Sequence, residues 1–238
     1  MNVGVIVART EVITILSVNV GLPTEVTWQG RLVTTGIFKK PIEARTMMRK
    51  LNLDGDGQAD LAVHGGTSKA VYGYPSEHYS FWRSQFPKMD LPWGMFGENF
   101  TTEGLLEQAM YIGDRFRIGE AEVIVTEPRM PCYKLGIKFG SAEVIKRFLA
   151  SRRSGFYFAV VREGMVGRGD ALQLSGREQE EISVADIVRL YVFDKNDGVG
   201  LRRAIEIAAL PESWKSYFRR QLAKLTAINA DNNVEPMS

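Results

Sequence analysis

The chain holds a single cysteine, Cys132, among 238 residues, and only two histidines, His64 and His78. One thiol excludes an internal disulfide and leaves no cysteine cluster for iron and sulfur. The glycine fingerprint of a dinucleotide fold is missing, as is the G-x-x-x-x-G-K-[ST] loop of nucleoside triphosphate enzymes, so no flavin or nicotinamide site is expected. There is no internal repeat, which excludes a propeller or solenoid. An excess of one charge is lacking too: 30 Lys plus Arg stand against 28 Asp plus Glu, for a net charge of +2. Neither a nucleic-acid polymer nor an acidic membrane is therefore expected as the main partner, and any anion site must be local. Long apolar runs are absent as well, because Arg9 and Glu11 break the N-terminal segment short of the ~18 residues of a membrane span. That segment has no basic start and no small-residue cleavage site, so it reads as strand material and the protein as cytoplasmic.

What is present is an ordinary globular composition, 45% hydrophobic and 24% charged, which argues against disorder. Val3 to Val7 and Val12 to Val18 are β-branched runs, followed by turn chemistry at GLPTEV and another strand-like run from Arg31 to Ile37. Lys39 and Lys40 after it suit either a solvated face or one wall of an anion pocket. From Ser183 the texture changes. Ser183 with Asp186 makes a capping-box start, Leu201 to Leu210 forms a second helical run and Pro211 begins a third. In the third, Trp214, Tyr217, Phe218, Leu222 and Leu225 share one face, a core or interface stripe. The organisation expected is a mainly β domain over 1–175 and a small three-helix subdomain over 183–228.

Candidate chemistry gathers in a few places. Ala121 to Thr126 reads as a strand, after which Pro128 and Pro131 stiffen the chain ahead of Cys132. Arg129 and Lys134 flank the sulfur in sequence and favour the thiolate, the form that attacks electrophiles and binds soft metals. A buried, inert cysteine is the competing account, and the local sequence does not decide between them. In NLDGDGQADLAV, Asn52, Asp54 and Asp56 imitate a calcium loop, but Val63 stands where the bidentate glutamate belongs, so a tight turn is the better account. Gly65, Gly66, Thr67, Ser68 and Lys69 combine open backbone, hydroxyls and a cation suited to a phosphate. His64 just before them is either a structural residue or a ligand contact, whereas His78, beside Pro75 and several aromatics, reads as structural. The Asn99 amide either caps a turn or meets the edge of a heterocycle.

Three stretches taken together, DGDGQADLAVHGGTSKAVYGYPSEHY, FGENFTTEGL and IGDRFRIGEAEVIVTEPRMPCYKL, resemble the MOSC family, named for the C-terminal domain of molybdenum cofactor sulfurases. The C-terminal helices resemble the appended segment of its YiiM-like members, so the resemblance covers essentially the whole chain. It implies a closed β-barrel carrying a molybdenum bound to molybdopterin, with Cys132 as the protein ligand to the metal. It also implies reduction of N-hydroxylated small molecules such as 6-hydroxylaminopurine and amidoximes, a detoxification fed by an external flavoprotein. On this reading Gly65, Gly66, Thr67, Ser68 and Lys69 receive the cofactor phosphate, Arg129 the phosphate or a pterin carbonyl, and Asn99 and Phe100 the ring, with His64 as a further donor. A homodimer is compatible with it. Two rivals remain open: a cysteine-nucleophile transferase or hydrolase built from Cys132, His64 and Asn99, and a non-catalytic carrier of the cofactor.

Overall fold

The computed structural model describes residues 13–59, 65–179 and 181–232. The first β-branched run within that range is strand β1 (Thr14–Val20), followed by β2 (Thr24–Trp28), β3 (Arg31–Thr35), β4 (Lys40–Ile42) and β5 (Thr46–Met48). Val3 to Val7 lies outside the described residues. The remaining strands are β6 (Val71–Pro75), β7 (Phe100–Glu103), β8 (Arg115–Ile118), β9 (Ala121–Pro128), β10 (Phe156–Arg162), β11 (Gly164–Val166) and β12 (Leu172–Gly176). Eight of them form one sheet in the order β12-β8-β9-β10-β6-β7-β1-β4. All neighbours run antiparallel except β6 and β7. A parallel pair needs a crossover, and helix α1 (Glu77–Gln85) with the loop after it supplies one.

Among the described residues the sheet runs from β12 to β4, and no continuous ladder closes the barrel expected from the family resemblance. The start of β1, the strand beside β4, meets the lead-in to β12 at a short seam, an isolated Thr14–Ala171 bridge with the Gly169 N–H donating to the Ile15 carbonyl at 2.8 Å. The reason lies in β1, whose outer edge is shared, residues 18–20 pairing with β4 while its start reaches the lead-in to β12.

Alternation along the central strands sorts the side chains into two cores. Val71 on β6 and Phe156, Phe158 and Val160 on β10 enter one apolar cluster. Tyr72 and Tyr74, one step out of phase, enter a second, aromatic cluster against Tyr79, Trp82, Phe96 and Phe148, and Tyr157 packs against the same cluster. Helices α2 (Tyr133–Phe139) and α3 (Glu143–Ser151) cover that second face.

The C-terminal helices begin at the expected capping box, where the Ser183 hydroxyl accepts from the Asp186 N–H at 3.1 Å and the Asp186 carboxylate accepts from the Ser183 N–H at 3.0 Å. Helix α4 (Val184–Val188) runs into a π turn (Arg189–Phe193), followed by α5 (Gly198–Glu206) and α6 (Glu212–Asn232). Ile187, Leu201, Trp214 and Phe218 belong to the same cluster as the strand residues, so the helices share the core of the sheet rather than enclosing one of their own. Among the described residues no helix is long and apolar enough to cross a membrane.

Gly155, at the entry to β10, holds φ at +64°, and a Cβ there would lie 2.4 Å from the Gly73 carbonyl oxygen. Its N–H donates to the buried Glu107 at 2.7 Å. Gly155→Ala therefore combines backbone strain with a clash that has no flexible partner, and is expected to lower unfolding stability by about 2–4 kcal/mol. Urea denaturation measures this; a loss under about 0.5 kcal/mol would mean that the two strands do not meet so closely.

Candidate functional site

Cys132 sits where β9 gives way to α2, in extended backbone at φ −124° and ψ 173°. The expected strand runs two residues further than its apolar run, Pro128 being the last residue that pairs with β10. Pro131 follows, and the chain turns into α2 immediately after the cysteine. Residues 129–132 form a short loop at the strand end, the place that Pro128 and Pro131 suggest for Cys132.

The cysteine lines a cleft of about 580 Å³, open mouth included, together with Lys39, Asp56, Lys69, Asn99, Arg129, Lys134, Tyr72 and Tyr157. The two tyrosines arrive by the strand alternation described above, their rings 5.2 Å apart. Burial pushes the Tyr157 phenol up to about 12, Arg129 pulling the other way, and raises Tyr72 well above its ordinary value. Both phenols thus remain hydrogen-bond donors at neutral pH rather than bases.

Arg129 is the most constrained cation of the site. It is 6% exposed, its guanidinium lies over the Tyr72 and Phe148 rings at 5.4 and 5.5 Å, and it is within electrostatic reach of Cys132. Its Nη1 is buried and has no hydrogen-bond partner. An N–H on a buried cation that finds no acceptor in the protein is costly, and an acceptor brought by a ligand would complete it. The charge balance of the cleft agrees. Lys39 is offset by Asp56, and Lys69 faces Glu127 at 3.9 Å, which leaves Arg129 and Lys134 as positive excess.

The opposite wall rests on Asp56. Its Oδ1 accepts from Lys39 and from the Gly21 N–H at 3.0 Å, and its Oδ2 from the Asn99 amide at 2.9 Å. Burial lowers the Lys39 pKa, while the Asp56 carboxylate counters it. Asn99 also donates to the Asn19 carbonyl at 3.3 Å and accepts from the Tyr72 N–H at 3.1 Å. Its amide is spent on holding β1, β6 and Asp56 together, so it is not available to orient a histidine, and the cysteine-nucleophile arrangement loses that member. In the calcium-like loop the carboxylates diverge, Asp54 turning outward to Arg49 at 2.8 Å while Asp56 turns inward.

Of the residues expected at the site, Cys132, Arg129, Lys69 and Asn99 come together in the cleft. Gly65, Gly66, Thr67 and Ser68 lead into it without lining it; Thr67–Lys69 form a single 3-10 turn, and the Ser68 carbonyl is taken by the Thr126 hydroxyl at 2.6 Å. Phe100 does not reach the cleft. It is fully buried in the main core, because Asn99 beside it takes the other face of the chain. His64 lies outside the described residues. His78 has the structural place expected, its Nε2 bonded to Glu107 at 2.8 Å. Lys134, which flanks the sulfur in sequence, also lines the cleft, whereas Tyr72, Tyr157 and the inward role of Asp56 could not be read from the sequence. The basic pair divides between its two readings, Lys39 lining the cleft wall and Lys40 exposed.

Comparison with known proteins identifies a MOSC domain over residues 60–173 and a YiiM-like, 3-alpha helix domain over 182–225. The chain is 40% identical to the uncharacterized protein YflK of Bacillus subtilis over 220 residues, 92% of this chain and 99% of that one. It is 31% identical to a protein named reductase from Gibberella moniliformis, over 76% of this chain but 32% of that longer protein. The crystal structure of YiiM from Geobacillus stearothermophilus superposes with a TM-score of 0.74 at 32% identity, covering 88% of this chain and 99% of that one.

Removing the Asp56 carboxylate leaves Lys39 buried without its counter-charge. Asp56→Ala is therefore expected to cost about 3–5 kcal/mol of stability, the usual penalty for breaking a buried pair from one side. Chemical denaturation reads this, and a loss below about 1 kcal/mol, as for an exposed pair, would contradict the role given to Asp56.

Proposed function

Because the chain belongs to the YiiM-like branch of the MOSC-domain family, we propose that it is a molybdenum-cofactor-dependent reductase of N-hydroxylated small molecules, with Cys132 as the protein ligand to the metal. The observation that carries this reading is the buried Arg129 guanidinium beside Cys132 with an unbonded Nη1, a donor waiting for an acceptor next to a soft sulfur. MOSC domains as a group are associated with the molybdenum cofactor, and the residues present fit it: a thiolate donor for a thiophilic metal, and cations for a phosphate. When bound, the cofactor supplies the two-electron redox centre that cleavage of an N–O bond requires.

The chain's own residues then bind and orient. Lys69, Arg129 and Lys134 hold anionic and carbonyl oxygens by charge-assisted hydrogen bonds. Tyr72 lies under the Arg129 guanidinium and the Tyr157 phenol oxygen stands beside it as an acceptor, so both fix its direction. The Lys39, Asp56 and Asn99 network holds the opposite wall still. Reduction of R–NH–OH to R–NH2 and water consumes two electrons and two protons. The electrons come from a separate flavoprotein, and the open mouth of the cleft gives such a donor access.

The test uses protein from a cofactor-competent host, assayed with benzamidoxime or 6-hydroxylaminopurine and reduced methyl viologen. Turnover with the dye, and none with NADPH alone, is expected. Cys132→Ser should lose more than the roughly 10- to 100-fold that removal of an outer-shell partner costs. Lys69→Ala should weaken cofactor retention by about 1.5–3 kcal/mol, read as molybdenum content after gel filtration. Full activity of Cys132→Ser would remove the cysteine from the metal, and molybdenum without turnover would favour a carrier.

A further inference from the structure

A second cleft of about 750 Å³, open mouth included, lies where β9 meets the C-terminal helices. It shares two wall residues, Lys69 and Tyr157, with the cleft that holds Cys132. Its other side is aromatic. Tyr191, carried by the π turn, lies 5.0 Å from the Trp214 ring and 4.8 Å from that of Tyr217. A π turn is an uncommon local geometry that concentrates at functional sites, and here it contributes one wall of the cleft.

Among these rings stands one carboxylate. Glu127 is 3% exposed; its Oε2 accepts from the Trp214 indole N–H at 2.6 Å, and its Oε1 is buried with no hydrogen-bond partner. Burial raises its pKa, with Lys69, Trp214 and Ser68 pulling the other way. A buried carboxylate oxygen with nothing to accept from is costly. A structural carboxylate would have both oxygens satisfied, as Asp56 has in the neighbouring cleft. The cleft also carries two cations, Arg220 and, 3.9 Å from Glu127, Lys69, so the carboxylate selects the edge a ligand presents rather than its net charge.

We propose that this second cleft is a binding subsite for a planar aromatic molecule with an N–H edge, an amidine, an amidoxime or an amino-substituted heterocycle, whose edge meets Glu127 Oε1 and whose ring packs on Tyr191, Trp214 and Tyr217. Aromatic walls give stacking area without choosing among rings, and the carboxylate supplies the choice. In one respect the subsite rests on the reductase reading: the ligand's N-hydroxylated end then points past Lys69 and Tyr157 toward Cys132. The C-terminal helices are thereby part of substrate recognition.

The test is calorimetric titration of the whole protein with benzamidine and with benzoate, which share a ring but present a donor edge and an acceptor edge. Benzamidine should bind at least about tenfold more tightly than benzoate. In Glu127→Gln the single amide oxygen satisfies either Trp214 or the ligand, not both, so benzamidine affinity should fall about tenfold or more. Ser213→Phe fills the mouth from an exposed helix position and should abolish binding without touching the fold, which keeps the proposal testable if Glu127→Gln folds poorly. Equal affinity for the two probes, no binding of either, or wild-type affinity in Ser213→Phe overturns the subsite. Kinetics with benzamidoxime separate the two proposals. A wild-type KM in Glu127→Gln sinks the subsite and leaves the reductase standing, whereas Glu127-dependent binding without turnover sinks the reductase and leaves the subsite.

Discussion

The first cleft depends on a buried charge pair, Lys39 with Asp56, because this pair pins a loop that has no strand of its own to the edge of the sheet. Asp56 gathers three donors from separate parts of the chain, the Lys39 ammonium, the Gly21 N–H and the Asn99 amide. With Asp56 satisfied, that wall stands still and the chain's unspent hydrogen-bonding capacity is left facing the cleft, on Arg129. Order on one side and an open donor on the other is what a preorganised binding site requires, since the cost of fixing the groups is met during folding rather than on binding.

The same principle extends across the sheet. Strand alternation sends Tyr72 and Tyr157 to the face that carries Arg129, and β9 delivers Arg129 to one cleft and Glu127 to the other. Two residues apart in the chain, these side chains are held by the same backbone, one a cation whose Nη1 lacks an acceptor and one a carboxylate whose Oε1 lacks a donor. Lys69 and Tyr157 line both clefts. On the subsite proposal, each cleft would hold one polar part of a ligand.

Much of this was legible in the sequence where the determinants are local. Ser183 and Asp186 are three residues apart, so their capping box could be read directly, and the stripe from Trp214 to Leu225 announced a buried face that the core cluster contains. Cys132, Arg129 and Lys69 were identifiable because thiol and cation chemistry is intrinsic to the residue. What could not be read is long-range pairing. Asp56 read only as part of a tight turn, because its partners lie 17, 35 and 43 residues away. Phe100 was placed at the ring of a ligand when alternation buries it, and among the described residues β1 divides its edge between β4 and the lead-in to β12, so the expected barrel closure shows only as a short seam.

The central claim is that the Cys132 sulfur binds the metal, and X-ray absorption at the molybdenum edge addresses it most directly. The account predicts that protein from a cofactor-competent host shows a sulfur shell that loses one scatterer in Cys132→Ser, or that the variant fails to retain molybdenum at all. An unchanged sulfur shell at unchanged molybdenum content in that variant would contradict it.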